Sequence, residues 1–514
     1  MNRLAGAFAL EAKVLWRYGV VAIAAVLAAL WTGLLLALPA SGAQALVPYL
    51  LFLDTAGFGA LFAVALLMFE RVEGTDAARA VTPVSPGEAA LVRVGALALP
   101  AVAMALPMIA VTAPQGRLWG ALGHATAGVA LTSVLLVAAC LGLGALTRTL
   151  QGALLATAPV IAPLVAVPLL HLAGVVQSPL LWAVPTTAGA ELISRGLTAR
   201  DGIPEGPGWA VALVYAVVSA TALCWWAARQ STVTGEERAG RGGRPPAGRA
   251  PRRGPAARAR SGPYAGPGRR VHPVLALARY ELVGGRRDPL LLAVALAPLP
   301  LALVLRWAYP AIAEYLRSAH GFDPAPHACA VFGALVLLHV PVMVGSVVAL
   351  RVTEDVDDRV LLVLRVSPLS LPAYFGFRTG TALLLALVGL AIAVPVSGLG
   401  PQVSPGLVTA VLLAALFAPL VVLATAAFAG NKVEALVVVK GVAAVSVLVP
   451  VLLWVLPGLW WSPLLVLPPT WSLLALPGYP GDAVPPWTVL LGGLVTAAAA
   501  ALALIRRMRS RLLG

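Results

Sequence analysis

The sequence predicts an all-α polytopic membrane protein of about twelve transmembrane helices, arranged as two parallel six-helix repeats, each opening on an interfacial helix. Three observations predict it. The 514 residues are 60% hydrophobic and only 11% charged, against roughly a quarter charged in a soluble domain. Apolar runs of about twenty residues, the length that crosses a bilayer core, recur along nearly the whole chain. A charged stretch with its flanking runs occurs twice, which marks an internal duplication.

The first residues mix Phe8, Leu15 and Trp16 with Glu11, Lys13 and Arg17. They read as an interfacial helix on the cytoplasmic face rather than a cleavable leader. Spans are expected at 20–38, 48–69, 89–111, 118–146, 152–172 and 209–227. Between the last two, 178–203 is semi-polar and broken by Pro179 and Pro185. It reads as a partly buried external hairpin or short helices. Residues 231–271 turn abruptly to Arg, Gly, Pro and Ala. They form an expected flexible cytoplasmic linker, unable to bury enough apolar surface to offset chain entropy. It separates a first six-span repeat, 1–230, from a second, 272–514. Second-repeat spans are expected at 290–309, 327–350, 373–395, 406–429, 434–456 and 487–505, with a longer external loop over 311–326.

The duplicated stretch runs from Glu70 to Glu88 and again from Glu354 to Pro372. Laying Pro83 on Pro368 places Glu70 on Asp355, Glu73 on Asp358, Thr82 on Ser367 and Ser85 on Ser370. Pro83 and Pro86 stop a helix and fix a turn. Two similar polar connectors between membrane-length runs read as a surface offered to a partner. Elsewhere Glu281 falls on Glu11, Lys432 on Arg148, and Pro468 to Thr470 on Pro185 to Thr187.

The formal charge of +15 suits cytoplasmic flanks and anionic lipid rather than nucleic acid. With both termini inside, the connectors, the linker and the basic tail Arg506, Arg507, Arg509 and Arg511 all fall in the cytoplasm. Six spans per repeat make the repeats parallel. Cys140, Cys224 and Cys329 sit in apolar surroundings and suggest neither a disulfide frame nor a metal site, and no cofactor is expected. No GxxxxGK[ST] phosphate loop, HExxH or GxSxG occurs, which argues against an enzyme and against a resident ATPase. Polar residues inside spans are pathway candidates: Asp54, His339 and Ser346, with Thr55, Thr132, Ser133 and Thr425. The alternatives for these are a packing role for His339, water near the external end for Asp54, and for Lys440 snorkelling or a pair with Glu434.

The layout resembles the type-2 permease subunits of ABC exporters. The residues that carry the likeness are Glu70, Arg71, Glu73, Gly74, Thr75, Thr82, Pro83, Ser85 and Pro86, and in the second repeat Asp355, Asp358, Ser367, Pro368 and Ser370. There Arg359-Val360 replaces Gly-Thr. The opening E-A-K-V-x-W-R-Y-G and the later R-R-D-P-L-L are similar to actinobacterial drug-export permease pairs, including those for fluoroquinolone export. The resemblance implies a cell-membrane exporter whose two six-span units share one chain. It further implies a separate cytoplasmic ATPase, in two copies, docked on the connectors, and a hydrophobic or amphipathic substrate such as a drug or lipid. The competing classes are an ion-coupled secondary transporter, a membrane-embedded enzyme, and a non-transporting signalling or interaction protein.

Overall fold

The computed structural model describes residues 3–73, 82–147, 150–173, 178–197, 208–242, 277–279, 296–320, 323, 325, 328–357, 360–361, 368–455, 458–477 and 485–513. Every regular element among them is helical, and ten helices are long and apolar enough to cross a membrane.

Helix α1 (Arg3–Arg17) meets α2 (Val20–Ala37) at Gly19, whose φ of 74° lets the chain turn sharply from one helix into the next. The second span starts earlier than the sequence suggested. It runs Ala40–Arg71 without a break in the membrane-length run. It comprises α3 (Ala40–Leu50), a π-helical turn Leu51–Ala56 and α4 (Phe58–Glu73). Pro48 lies inside it, tolerated because neighbouring helices re-satisfy the freed backbone. Then come α5 (Pro86–Thr112), α6 (Leu118–Leu146) and α7 (Leu150–Leu172). Helix α7 covers the fifth span expected. It holds Pro159, Pro163 and Pro168. The broken segment is a 3-10 turn, Pro179–Ala183, and α8 (Thr186–Leu197). Helix α9 (Gly208–Gly242) runs on through the first residues of the expected linker, which is therefore helical as far as Gly242. Residues 243–276 lie outside the described set.

The second repeat follows the same order. Helix α10 (Pro298–His320) continues past Tyr309 into the region expected to be an external loop. Residues 290–295, the start of the expected seventh span, are not described. Next are α11 (Ala328–Phe332), a π-helical turn Gly333–Leu338 and α12 (His339–Asp357). They are followed by α13 (Leu371–Ser397), α14 (Pro405–Ala415), α15 (Phe417–Phe428) and α16 (Lys432–Val455). A 3-10 segment Gly458–Val466, α17 (Pro468–Leu474) and α18 (Pro486–Leu513) close the chain.

Both repeats bury the same member. The fourth spans, α6 and α14–α15, are 72% buried along their membrane windows, while the sixth, α9 and α18, are 22% and 17% buried. The rim helices therefore present Val211, Val214, Val218, Leu491, Val495 and Leu502 outward, as a lipid-facing surface requires. Close approach of α8 to α6 depends on missing side chains. A Cβ on Gly189 would stand 1.9 Å from the Thr132 hydroxyl oxygen, and one on Gly128 2.6 Å from the Gly189 carbonyl.

Small polar contacts repeat as well. The Thr187 hydroxyl donates to the Leu181 carbonyl (2.8 Å) and that of Thr470 to the Leu464 carbonyl (2.6 Å). These are the positions paired in sequence by the Pro185 and Pro468 motifs. Ser85 caps α5 in a capping box with Glu88, and Ser370 caps α13 through the Ala373 amide (3.3 Å). The two repeats touch where α16 packs against α2 and α4.

Candidate functional site at the connectors and the seam between repeats

At the connector of the first repeat, Glu70 ends the apolar part of α4 and faces inward. The Arg93 guanidinium of α5 donates to Glu70 (2.5 Å) and to Glu11 of α1 (2.7 Å). Arg93 is 3% exposed. One cation thus ties the interfacial helix to both helices that flank the connector. A charge this deep is tolerable only because two carboxylates meet it. Glu70, expected to face a partner, is held in this lock instead.

The second repeat places the same chemistry 285 residues later. Arg378 of α13 donates to Asp355 of α12 (2.6 Å). Tyr374 joins the pair: its hydroxyl donates to Asp355, accepts from Arg378 Nε (3.2 Å), and its ring lies under the guanidinium at 5.2 Å. Glu281, the sequence counterpart of Glu11, lies outside the described residues.

Arg71 also turns inward. It reaches the Gly144 (3.1 Å), Ala145 (3.3 Å) and Thr147 carbonyls at the end of α6, where a cation offsets both the orphan acceptors and the negative pole of the helix. In the second repeat the end of α15 is served by Arg511 of the basic tail, through the Ala426 (3.2 Å) and Ala429 carbonyls. Of the residues expected to dock a partner, Glu73, Pro83, Ser85 and Pro86 remain outward, and in the second repeat Pro368 and Ser370. Arg3 fastens the first turn by donating to Glu88 (2.6 Å) and to the Pro83 carbonyl (3.3 Å). Gly74, Thr75 and Asp358 fall outside the described residues.

Between the repeats stands the other polar constellation. Asp54 lies on the π-helical turn, with fourteen residues of its membrane-length helix before it and seventeen after. Trp31 Nε1 of α2 donates to Asp54 Oδ2 (2.7 Å), and Lys440 Nζ of α16 donates to Asp54 Oδ1. Asp54 is thus held in an ion pair across the seam rather than left to water. Lys440 does not pair with Glu434, whose carboxylate is taken by the Gly430 amide (2.6 Å) and the Asn431 side chain (3.0 Å). Of the other pathway candidates, the Ser346 hydroxyl bonds back to the Val342 carbonyl of its own helix (2.6 Å). His339 is half-buried at the start of α12.

On the broken segment, Glu191 accepts from His171 (2.9 Å) and Arg195 (2.5 Å). The His171 bond, and then Arg195, hold its carboxyl well down, to about 2, against the opposing effect of burial.

Sequence reasoning missed Arg93, Arg378, Tyr374 and Trp31. A signal existed for two of them: Arg93 and Arg378 are cations inside apolar runs at the same 285-residue step as Glu70 and Asp355. The Asp54–Lys440 pair is 386 residues apart and offers only two lone ionisable residues in separate spans.

Two family models match the chain. One, described as the Fluoroquinolones export permease protein family, covers residues 2–233. The other, Fluoroquinolones export permease protein Rv2686c-like, covers residues 281–505. Fluoroquinolones export permease protein Rv2686c of Mycobacterium tuberculosis (strain ATCC 25618 / H37Rv) is 30% identical over 240 residues, which are 46% of this chain and 94% of that protein. Fluoroquinolones export permease protein MT2760 of Mycobacterium tuberculosis (strain CDC 1551 / Oshkosh) matches to the same extent. The chain belongs to the fluoroquinolones export permease family. Each of these relatives is about half its length, and the two models fall on opposite sides of the Arg-rich stretch. A multi-pass membrane permease that carries two family units in one polypeptide accounts for both facts.

Proposed function

We propose that the chain is the transmembrane part of an ATP-driven exporter, with its two permease units, 1–230 and 272–514, joined by the 231–271 linker. In this reading both termini and both connectors face the cytoplasm. Two copies of a separate ATPase dock on the connectors, and their closure on ATP moves one unit against the other. The observation that carries the reading is the paired connector lock, Arg93 with Glu70 and Arg378 with Asp355. It anchors each connector to two transmembrane helices, and the first connector also to α1, so that force applied outside is transmitted into the bundle. The sequence holds no phosphate-binding loop, and in this reading the motor is a second protein. The relatives are named for fluoroquinolone export, and a drug of that kind, amphipathic and aromatic, is the substrate proposed here.

The docking face is Glu73, Pro83, Ser85, Pro86, Pro368 and Ser370, with Gly74, Thr75 and Asp358 beside them in sequence. Glu70, Arg71 and Asp355 support that face from within. The test is co-purification with a candidate ATPase subunit, sought first in the neighbouring reading frame. Glu73→Lys is expected to weaken the complex while the permease stays folded. Unchanged binding and unchanged drug efflux with Glu73 and Ser85 both replaced would overturn the docking assignment.

One observation favours a second reading. An ion-coupled transporter needs paired ionisable groups within its spans, and Asp54 and Lys440 are such a pair. Efflux that survives ATP depletion but stops when the proton gradient is collapsed would select that reading over the first.

A further inference from the structure

We propose that Asp54, held in place by Trp31, and Lys440 form a recognition site for a zwitterionic substrate, which enters by exchanging its own two charges for theirs. The proposal rests on the export reading and names the substrate class that the seam between the repeats accepts.

The pair sits where the two units meet: Trp31 and Asp54 come from the first and Lys440 from the second. Lys440 is eight residues into α16, about 12 Å of helix from Lys432. Lys432 itself pairs with Glu354 at 3.4 Å. The pair is reachable, since the side chains of Lys440 and Asp54 are 21% and 18% exposed, whereas the structural cation Arg93 is 3% exposed. It is also one-sided. The step of 285 that joins the connectors carries Asp54 onto His339, and the step of 284 that joins Arg148 to Lys432 carries Ala156 onto Lys440. The position related to the pair therefore holds a histidine and an alanine. The scaffold repeats its connector lock but not this pair, so the fold does not need it.

Electroneutrality selects the ligand. Separating the two units at this seam breaks the pair and leaves one anion and one cation inside the bilayer, which is costly. A molecule with a single charge satisfies one partner and strands the other. A molecule carrying both an ammonium and a carboxylate satisfies both: its ammonium takes Asp54 Oδ1 while Trp31 keeps Oδ2, and its carboxylate takes Lys440. No bond is made or broken beyond hydrogen bonds and ion pairs. Trp31 stays on Asp54 throughout and holds the carboxylate in place when Lys440 leaves it.

The test uses the full chain in lipid nanodiscs and three fluorescent probes: a zwitterionic fluoroquinolone, its methyl ester (a cation) and its N-acyl derivative (an anion). The zwitterion is expected to bind about tenfold more tightly than either, the equivalent of one charge-assisted hydrogen bond. Lys440→Met should remove that advantage without weakening the ester, and Asp54→Asn without weakening the N-acyl probe. If either single variant fails to fold, the exchanged pair Asp54→Lys with Lys440→Asp restores a pair and is expected to restore the preference. Equal binding of all three probes, or a uniform loss across them in the variants, overturns the site and leaves a lock between repeats. Drug efflux by cells carrying the chain and its ATPase separates the two failures. Efflux without probe discrimination sinks the site alone, whereas absence of efflux for every probe sinks the export reading as well.

Discussion

The two connector locks are built from the same cation–carboxylate pair and finished differently. In the first repeat, Arg93 is enclosed by two acids, Glu11 and Glu70. In the second, Arg378 meets one described acid, Asp355, which is 22% exposed, and Tyr374 supplies a hydroxyl and a ring. The pair is therefore what the scaffold needs, because it fastens the span before the connector to the span after it. The described acids of the first lock are the more buried, Glu11 at 7% and Glu70 at 12% exposed, so it should suffer more from loss of its centre.

That difference sets the largest expected effect. Arg93→Met removes the cation that both buried carboxylates meet, at a cost of about 3–5 kcal/mol. Thermal unfolding in detergent should show little folded protein. The triple variant Arg93→Met with Glu11→Gln and Glu70→Gln should recover much of the loss. Arg378→Met should cost roughly half as much, since Asp355 keeps a hydroxyl donor and partial access to water. Equal losses at the two positions would break the contrast between the locks.

A smaller effect is expected where α8 presses on α6. Gly189→Ala drives a methyl group into Thr132 and should cost about 1–3 kcal/mol by overpacking. At the matched contacts of the broken segments, Thr187→Val and Thr470→Val should each cost about 1 kcal/mol. A marked inequality would show that the segments are alike in sequence but not in load. The N-caps come last. Ser85→Ala, which also dismantles the capping box with Glu88, should cost about 1 kcal/mol and Ser370→Ala somewhat less.

Glu191 gives a pH-dependent counterpart with no equivalent described in the second repeat. Its carboxyl is held down to about 2. Its contribution to stability is thus fully present above the ordinary glutamate range and is lost as pH falls from about 4 toward 2. Acid unfolding in detergent should lose part of its slope over that interval in Glu191→Gln. An unchanged slope would detach Glu191 from the acid response.

Much of the fold was legible along the chain. The apolar runs located the spans, Pro83 and Pro86 marked the turn at the first connector, and the constant step from Glu70 to Asp355 revealed the duplication. The errors sit at element ends. Pro48 read as a start because proline breaks helices in water, yet packing carries the helix from Ala40 through it. Ser231 read as the start of a linker by composition, yet α9 runs on to Gly242, since a helix already nucleated extends at low cost. At the connectors, sequence located the charges but not their direction. Glu70 and Arg71 resemble partner-facing residues until Arg93 and the end of α6 are brought beside them.

Composition, span length and duplication settled by themselves that this chain lives in a bilayer as two related helical units, because the cost of unpaired backbone in lipid permits little else. Only the tertiary structure decided which charges meet. Arg93 finds Glu11 and Glu70, and Lys440 finds Asp54 across 386 residues. An ion pair depends on proximity in space, and no periodicity along the sequence encodes that distance.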